Sequence, residues 1–320
     1  MSIVITGASG FLGRALYSRA RAAWPHASDR FVLLDRSPPN TQGDDRATAA
    51  ALDLCDLRPG ERWLAEADIV FHLAAIPGGD AERNPRLSKA VNLDATLNLV
   101  DALTRRAGTV RFVYASTIAV FGAPLPRHID DETTPVPAMT YGAHKLMVEI
   151  ALANATRLGH IDAVALRLPG IVARPAGDTS MRSAFMSELF HACAAHRSFV
   201  VPVSPEATVW LMSASCVADN LIQAARIVRG AGSTARALTL PALRTTMLEL
   251  VGALAERTGG DPGSVTFEPD EALEAQFGRL PTLATPAADA LGFRHDGDLA
   301  TLCTRVLAGA RDAAREGASS

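Results

Sequence analysis

A tyrosine and a lysine stand four residues apart in the middle of the chain, in the segment Tyr141-Gly-Ala-His-Lys145. This spacing places both side chains on one face of a helix, one turn apart. The pKa of an isolated tyrosine is about 10, and a neighbouring ammonium group favours the phenolate. Such a tyrosine could take the proton of an alcohol as a general base while a hydride leaves the same carbon. The hydroxyl of Ser116 or Thr117, at the end of an apolar run, could hold the substrate oxygen.

The chain begins with a short apolar run, residues 2–6, that leads into a glycine-rich turn. Such a run is typical of a central parallel strand that is buried on both faces. The spacing of the three glycines predicts a tight turn, a bare backbone where a pyrophosphate can approach, and close packing of a helix on the strand. The first N–H groups of that helix would bind the anion. The residues predicted to contact the nucleotide here are Gly7, Gly10, Phe11, Leu12 and Gly13.

An aspartate ends the second apolar run, Phe31-Val-Leu-Leu-Asp35. It follows the glycine turn by about 20 residues, where folds of this type bind the adenosine ribose. Its carboxylate would accept from both ribose hydroxyls and repel a 2′-phosphate, so we predict NAD as the cofactor. Arg36 follows at once and offers the alternative of holding a 2′-phosphate.

Other predicted strands deliver residues to the same edge, because strands joined by right-handed crossovers point one way and ligands bind beyond their carboxyl ends. Asp53 and Leu54 end a predicted strand and are placed at the adenine ring. Leu73, Ala74 and Ala75 end the next, and their small side chains leave room for the cofactor. The loop that follows, with Ile76 and Gly78, is where substrate would approach.

The composition is that of a folded globular protein, with 48% hydrophobic and 20% charged residues among 320. A net charge of −3 offers no electrostatic footprint for nucleic acid or an anionic membrane. The sequence shows neither an apolar run of membrane-spanning length nor a basic leader, which predicts a cytoplasmic location. Four cysteines without a Cys-x-x-Cys pair predict buried thiols, in preference to a disulfide framework or a zinc site. His191, Cys193 and His196 lie close in sequence, but we predict no metal site.

The sequence resembles the extended short-chain dehydrogenase/reductase superfamily from residue 3 to about residue 300. The matching segments are Thr6-Gly-Ala-Ser-Gly-Phe-Leu-Gly13, His72-Leu-Ala-Ala75, Asn92, Ser116-Thr-Ile-Ala-Val-Phe-Gly122, Tyr141-Gly-Ala-His-Lys145 and Arg167-Leu-Pro169. The resemblance implies that the catalytic hydroxyl belongs to Thr117, five residues before Gly122, with Ser116 beside it. It also places Asn92, Tyr141, Lys145 and Pro169 at the cofactor.

The predicted fold class is α/β, a doubly wound parallel sheet of the Rossmann type. We predict an NAD-binding domain at residues 1–170, which also includes about 209–230. Residues 171–320 would form mainly a smaller, discontinuous substrate-binding region. The resemblance further implies a homodimer through helices near 88–106 and 140–158.

Two departures narrow the substrate class. Sugar-nucleotide epimerases and dehydratases usually carry an asparagine three residues after the position of Arg167, where this chain has Gly170. They also carry an arginine shortly before a final strand, and residues 207–210 contain none. Segments 121–126, 166–175 and 210–213 look more like the D-erythronate dehydrogenase group, which oxidises the 2-hydroxyl of a four-carbon sugar acid with NAD. Arg174 is our candidate for binding the substrate carboxylate through two parallel hydrogen bonds, with a surface arginine as the alternative.

The combined prediction is an NAD-dependent dehydrogenase acting on a small sugar acid. Tyr141 would be the base, Lys145 would support it, and Thr117 and Ser116 would orient the substrate. One alternative is a sugar-nucleotide epimerase or dehydratase, which would retain its NAD and release no NADH. The other is a non-catalytic NAD-binding regulator, which would be expected to have lost part of the catalytic set.

Overall fold

The computed structural model describes residues 1–58, 60–122, 124–177, 182–227 and 237–317. The chain divides into two compact units. The first comprises Met1–Gly122, Thr134–Leu168 and Ala218–Thr239, and the second comprises Ala123–Thr133, Pro169–Val217 and Leu240–Ser320.

The secondary structure of the described residues is numbered in chain order. The strands are β1 (Ser2–Thr6), β2 (Arg30–Asp35), β3 (Ala47–Ala51), β4 (Ile69–His72), β5 (Arg111–Thr117), β6 (His128–Ile129), β7 (Asp162–Leu168), β8 (Gly170–Val172), β9 (Phe199–Val201), β10 (Thr208–Ser213), β11 (Ala237–Thr239), β12 (Leu243–Thr246), β13 (Val265–Phe267) and β14 (Thr282–Leu283). The α-helices are α1 (Phe11–Ala23), α2 (Arg62–Glu66), α3 (Gly78–Arg83), α4 (Pro85–Ser88), α5 (Thr96–Thr104), α6 (Thr140–Arg157), α7 (Phe185–Ala194), α8 (Ala214–Arg226), α9 (Met247–Thr258), α10 (Glu271–Phe277), α11 (Pro286–Ala290) and α12 (Leu299–Gly317).

The first unit is built on a seven-stranded sheet in the order β11-β7-β5-β4-β1-β2-β3, with every neighbouring pair parallel. The central strands are apolar on both faces; Ile3, Val4 and Ile5 of β1 are fully buried. This is the pattern of a parallel sheet covered by helices on both sides. The predicted α/β Rossmann fold is therefore confirmed. Strand β11, three residues long, forms one edge of the sheet beside β7.

The helical stretch predicted over residues 88–106 is interrupted in the structure. Helix α4 ends at Ser88, a π-helical turn covers Lys89–Ala95, and α5 then runs over Thr96–Thr104. π-Helical turns are rare, and many of those that do occur lie at functional sites. This one carries Asn92, whose side chain bonds to the backbone of Ile76.

The second unit contains a mixed three-stranded sheet, β12-β10-β8, and two two-stranded sheets, β13-β9 and β14-β6. Its core joins Leu189 and Phe190 of α7 with Leu250 and Leu254 of α9 and Leu302 of α12. Strand β10 pairs within this unit, whereas the sequence placed residues from about 209 with the NAD-binding half. The stretch Ala218–Thr239 belongs to the first unit.

All four cysteines lie within the described residues and are free thiols. Cys216 and Cys303 are buried as predicted. The prediction is wrong for Cys55, which is exposed, and Cys193 is only partly buried. Within the ranges given above, no helix combines the length and apolar character that crossing a membrane requires.

A buried ion pair joins three elements of the first unit, β5, α6 and β7. The side chains of Glu149 on α6 and Arg167 on β7 are 3% and 12% exposed. Arg167 Nη2 donates to Glu149 Oε2 at 2.8 Å, and Nε lies 3.2 Å from each carboxylate oxygen. Ser116 Oγ of β5 donates to Glu149 Oε1. Removing one partner of such a pair leaves an uncompensated buried charge.

We predict that Arg167→Met lowers the free energy of unfolding by about 3–5 kcal/mol, because Glu149 is left buried without its cation. Chemical denaturation measures this loss. Arg105→Met is the matched control; its pair with Asp101 is exposed, and its loss should cost less than about 1 kcal/mol. Combining Glu149→Gln with Arg167→Met should restore part of the stability. A loss below about 1 kcal/mol for Arg167→Met alone would contradict the prediction.

Candidate active site

The glycine-rich turn after β1 forms a bare backbone cradle at the start of α1. Gly7 has a φ of 73°, and a Cβ on Gly13 would lie 2.1 Å from the Gly7 oxygen. Helix α1 has no side-chain cap at Gly10 and no acidic residue in its first turn. The N–H groups of Phe11, Leu12 and Gly13 have no partner within the helix and are suited to bind an anion.

Asp35, at the end of β2, is held beside this turn. Its Oδ2 accepts from the backbone N–H of Ser9 at 2.9 Å, and its Oδ1 accepts from that of Arg36 at 2.7 Å. A carboxylate can accept further hydrogen bonds at both oxygens. The cradle and this carboxylate fit the pyrophosphate and the adenosine ribose of NAD.

The remaining residues predicted to contact the cofactor follow neighbouring strands. Asp53 comes after β3 and accepts from the Cys55 N–H at 2.9 Å, with Leu54 buried next to it. Leu73, Ala74 and Ala75 come after β4 and are partly buried. A Cβ on Gly7 would lie 2.7 Å from the Ala74 nitrogen. The glycine turn is thus in direct contact with the end of β4.

Lys145 is buried on α6, only 2% exposed. Its Nζ donates to the Ala115 carbonyl at 2.8 Å and lies 4.5 Å from the Tyr114 ring centroid and 5.6 Å from that of Tyr141. Burial lowers the pKa of Lys145 to about 7, while the charge of Glu149 acts in the opposite direction. The rings of two tyrosines therefore face one buried cation.

Ser116 and Thr117 are consecutive in β5, so their side chains point to opposite faces of the sheet. Ser116 is 2% exposed, and its hydroxyl donates to Glu149. Thr117 is partly exposed, and its Oγ1 accepts from the Ala119 N–H at 3.1 Å. That bond leaves the hydroxyl hydrogen of Thr117 to be donated elsewhere.

The start of α6 comes very close to the segment after Thr117. A Cβ on Gly142 would lie 2.0 Å from the Ala119 oxygen, so only glycine allows this approach. Gly142 follows Tyr141 directly, and Ala119 is two residues beyond Thr117. The structure therefore brings the tyrosine and the threonine hydroxyl to the same end of β5.

The segment predicted to face the substrate also packs against α6. A Cβ on Gly78 would lie 3.8 Å from Cδ1 of Tyr141. At the N-terminus of α6, the Thr140 N–H donates to Glu82 Oε1 at 2.6 Å. Ile76 is bonded through both its N–H and its carbonyl to the side chain of Asn92, which is 1% exposed.

Pro169 and Arg174 belong to the second unit, whereas Tyr141, Lys145 and Thr117 belong to the first. The Arg174 N–H donates to Ser187 Oγ at 3.0 Å, and its carbonyl accepts from His191 Nε2 at 2.6 Å. Two further positions of the second unit serve packing. A Cβ on Gly170 would lie 2.8 Å from the Trp210 oxygen, and Thr208 Oγ1 donates to the Leu280 carbonyl at 2.8 Å.

The structure also places near the site several residues that the sequence analysis did not assign to it. They are Tyr114, Glu149, Ser88 and His144, all buried. The Tyr114 hydroxyl has no hydrogen-bond partner among the described residues, and burial raises its pKa well above 10. In the described ranges, no three His, Cys, Asp or Glu side chains group in a way that could hold a metal ion.

Known proteins similar to this chain are found both by sequence and by structure. D-erythronate dehydrogenase from Haemophilus influenzae is 31% identical over 311 residues, which cover 96% of this chain and 99% of that protein. D-erythronate dehydrogenase from Cupriavidus necator is 31% identical over 306 residues, covering 92% and 94%. A solved structure described as the nucleoside-diphosphate-sugar epimerase from Agrobacterium tumefaciens has 30% identity and a TM-score of 0.85, covering 95% of this chain and 92% of that one.

These similarities confirm the resemblance to the D-erythronate dehydrogenase group. Residues 3–215 match the model of the NAD dependent epimerase/dehydratase family. The predictions of an NAD-dependent oxidoreductase and of NAD as its cofactor are confirmed with it. The chain belongs to the NAD dependent epimerase/dehydratase family.

Proposed function

We propose that this chain is a dehydrogenase that oxidises the 2-hydroxyl of a small sugar acid of the D-erythronate type to the 2-oxo acid. The substrate carbon loses a hydride, its hydroxyl loses a proton, and the C–O bond becomes C=O. NAD, when bound, supplies the acceptor for the hydride. The observation that carries the proposal is the similarity to two D-erythronate dehydrogenases over nearly the whole chain.

Tyr141 takes the proton from the substrate hydroxyl. The Lys145 ammonium, 5.6 Å from its ring centroid, favours the phenolate form of Tyr141. Thr117 donates its hydroxyl hydrogen to the same substrate oxygen and orients it. Because the Ser116 hydroxyl is engaged by Glu149, we assign the direct substrate contact to Thr117 and give Ser116 the task of holding the end of β5 on α6.

The cofactor would be held along the carboxyl edge of the sheet. Gly7, Gly10, Phe11, Leu12 and Gly13 would surround the pyrophosphate, and Asp35 would accept from the adenosine ribose. Asp53, Leu54, Leu73, Ala74, Ala75, Asn92, Tyr141, Lys145 and Pro169 complete the proposed contacts. On the substrate side, the proposed contacts are Ile76, Gly78 and Arg174, whose guanidinium would bind the carboxylate.

A sugar-nucleotide epimerase is the second candidate, and the similarity to the Agrobacterium structure favours it. Two observations support the dehydrogenase instead. The position of the usual diphosphate-binding asparagine is Gly170, where a Cβ would lie 2.8 Å from the Trp210 oxygen. The segment that usually carries an arginine has Thr208, whose hydroxyl is bonded to Leu280. A non-catalytic regulator would be expected to lack part of the set formed by Tyr141, Lys145 and Thr117.

We expect NADH to form when the protein is incubated with NAD and D-erythronate or a related four- to six-carbon aldonate, measured by absorbance. L-threonine and UDP-sugars complete the panel. Consumption of a UDP-sugar without NADH release, together with no NADH formation from any of the acids, would favour the epimerase.

Tyr141→Phe should lower turnover about 100-fold or more, because the general base is lost. Tyr17→Phe is the matched control, since its hydroxyl bonds to the Thr41 carbonyl at 3.0 Å, away from this site.

We expect Lys145→Met to change how stability depends on pH. The pKa of Lys145 is about 7 in the folded protein and about 10.4 in an unfolded chain. Below about pH 7 the side chain is charged in both states, and burying the charge lowers the free energy of unfolding. This destabilisation decreases as pH rises from about 7 to about 10. The free energy of unfolding of the variant, relative to that of the wild type, should therefore be highest at about pH 6 and lowest near pH 9. Chemical denaturation of the cofactor-free proteins measures this difference. Lys89→Met is the control, because Lys89 is the other lysine of the chain and is exposed and paired with Asp94. A difference that is constant with pH would contradict this expectation.

We also infer a homodimer formed through the helices near residues 88–106 and 140–158. Met147 and Ile150, three residues apart on α6, are 49% and 64% exposed, and exposed apolar side chains on one helix face favour association. Light scattering should give twice the chain mass for the wild type and the mass of one chain for Ile150→Asp. Leu248→Asp, at an equally exposed leucine on α9, should remain dimeric. A monomeric wild type would exclude the dimer.

A further inference from the structure

Three buried side chains form a hydrogen-bonded chain between Ile76 and helix α6. Asn92 Oδ1 accepts from the Ile76 N–H at 2.7 Å, and Asn92 Nδ2 donates to the Ile76 carbonyl at 3.0 Å and to Ser88 Oγ at 3.1 Å. Ser88 Oγ lies 2.9 Å from His144 Nδ1. Asn92, Ser88 and His144 are 1%, 0% and 9% exposed. The chain is therefore shielded from water.

The direction of the first hydrogen bonds in this chain is set by the backbone. The Ile76 N–H can only donate, so the oxygen of the Asn92 carboxamide must face it and the NH₂ group must face Ser88. Ser88 Oγ accepts that hydrogen bond and has its own hydrogen to give. Among the described residues, His144 Nδ1 is the acceptor within reach of that hydrogen, which favours the tautomer with the ring hydrogen on Nε2. A proton on Nδ1 would make Ser88 Oγ accept twice and leave its buried hydroxyl hydrogen without this acceptor, which weakens the link.

The two ends of the chain are parts of the proposed active site. Ile76 begins the segment that packs against the ring of Tyr141 through Gly78. His144 is the residue before Lys145 and lies one turn after Tyr141 on the same helix. Ser88 and Asn92 are held at the junction of α4 and the π-helical turn, four residues apart. One hydrogen-bonded path thus couples the loop to the helix that carries the proposed base.

We propose that His144 is a positioning residue, whose unprotonated Nδ1 accepts from Ser88 and thereby fixes the Ile76 loop against the helix that carries Tyr141 and Lys145. The proposal rests on the proposed function only for its activity measurement. It predicts that acid weakens the loop contact by protonating one histidine. His144→Asn should preserve the contact, since its Oδ1 replaces Nδ1 as an acceptor and does not titrate.

The charges that face His144 come from two neighbouring elements. Lys89 and Asp94 lie on the π-helical turn and Glu82 lies on α3. Burial lowers the pKa of His144, and Lys89 lowers it further, while Asp94 and Glu82 act in the opposite direction. The imidazole is therefore neutral at pH 7. The link is lost as pH falls through this lowered pKa.

The first experiment measures hydrogen exchange of the Ile76 amide in the cofactor-free protein, expressed as a protection factor. The wild type should be protected at about pH 7.5 and lose protection in acid. Ser88→Ala and His144→Leu should lower protection about tenfold at every pH, the cost typical of one buried hydrogen bond. His144→Asn should keep wild-type protection without the acid loss. His160→Asn, at an exposed histidine beyond α6, should behave like the wild type.

The second experiment determines the tautomer of His144 and measures kcat. Ring ¹⁵N NMR, with the His144 signal assigned by its loss in His144→Asn, should show the hydrogen on Nε2 at about pH 7.5. With D-erythronate as substrate, Ser88→Ala and His144→Leu should lower kcat about tenfold. His144→Asn should keep kcat near the wild-type value and remove the decrease in kcat at low pH that results from protonation of His144.

The result that would overturn the proposal is a hydrogen on Nδ1 at neutral pH, or full Ile76 protection in both Ser88→Ala and His144→Leu. Loss of protection in His144→Asn equal to that in His144→Leu would also overturn it. If His144→Leu and Ser88→Ala do not fold, the tautomer and the acid loss in the wild type against His144→Asn decide the matter. If D-erythronate is not oxidised, the proposed function fails while the exchange and NMR measurements still test the positioning role.

Discussion

Burial of the Lys145 ammonium is the constraint on which the arrangement of the first unit depends. A cation away from water must be compensated by nearby groups. Its Nζ has the Ala115 carbonyl at 2.8 Å and the Tyr114 ring at 4.5 Å, so the end of β5 must stay where it is. Glu149 lies one turn farther along α6 and favours the charged form. That carboxylate is itself buried, which requires Arg167 on β7 to remain beside it.

The same constraint favours a neutral side chain at His72. His72 is fully buried and stacks on Tyr114 with 5.8 Å between the ring centroids. Burial and, as the smaller cause, the charge of Lys145 lower the pKa of His72 to about 3. The neutral imidazole bridges the hydroxyls of Thr6 and Thr96, 2.8 Å and 2.9 Å away. A second cation is thus avoided, while β1, β4 and α5 are tied together by hydrogen bonds.

Much of the sheet and the proposed catalytic pair could be predicted from the sequence, because both depend on local spacing. Strands β1, β2 and β5 are apolar runs that end in polar residues, and Tyr141 and Lys145 share a helix face. The three-residue strand β11 is too short to produce such a pattern. Helical periodicity also failed to reveal the π-helical turn at Lys89–Ala95, since its apolar residues remain at near-helical intervals.

The partners of buried polar residues could not be predicted in the same way. Glu149 bonds to residues 33 and 18 positions away, and Ser88 bonds to His144, 56 positions away. No local pattern reports such pairs. The choice between Ser116 and Thr117 likewise depended on which hydroxyl a distant carboxylate occupies. Local sequence patterns were therefore enough to propose the reacting groups, while the fold was needed to find which residues hold them in place.

Two positions of the second unit lack the asparagine and the arginine that are usual in sugar-nucleotide epimerases and dehydratases. The bare backbone of Gly170 allows β8 to pair with β10, since a Cβ there would lie 2.8 Å from the Trp210 oxygen. Thr208 is bound at its hydroxyl to Leu280. Both positions contribute to packing instead of presenting a donor to a diphosphate. The proposed sugar-acid substrate would instead be recognised through its carboxylate, because a guanidinium that binds both oxygens supplies strength and orientation in one contact.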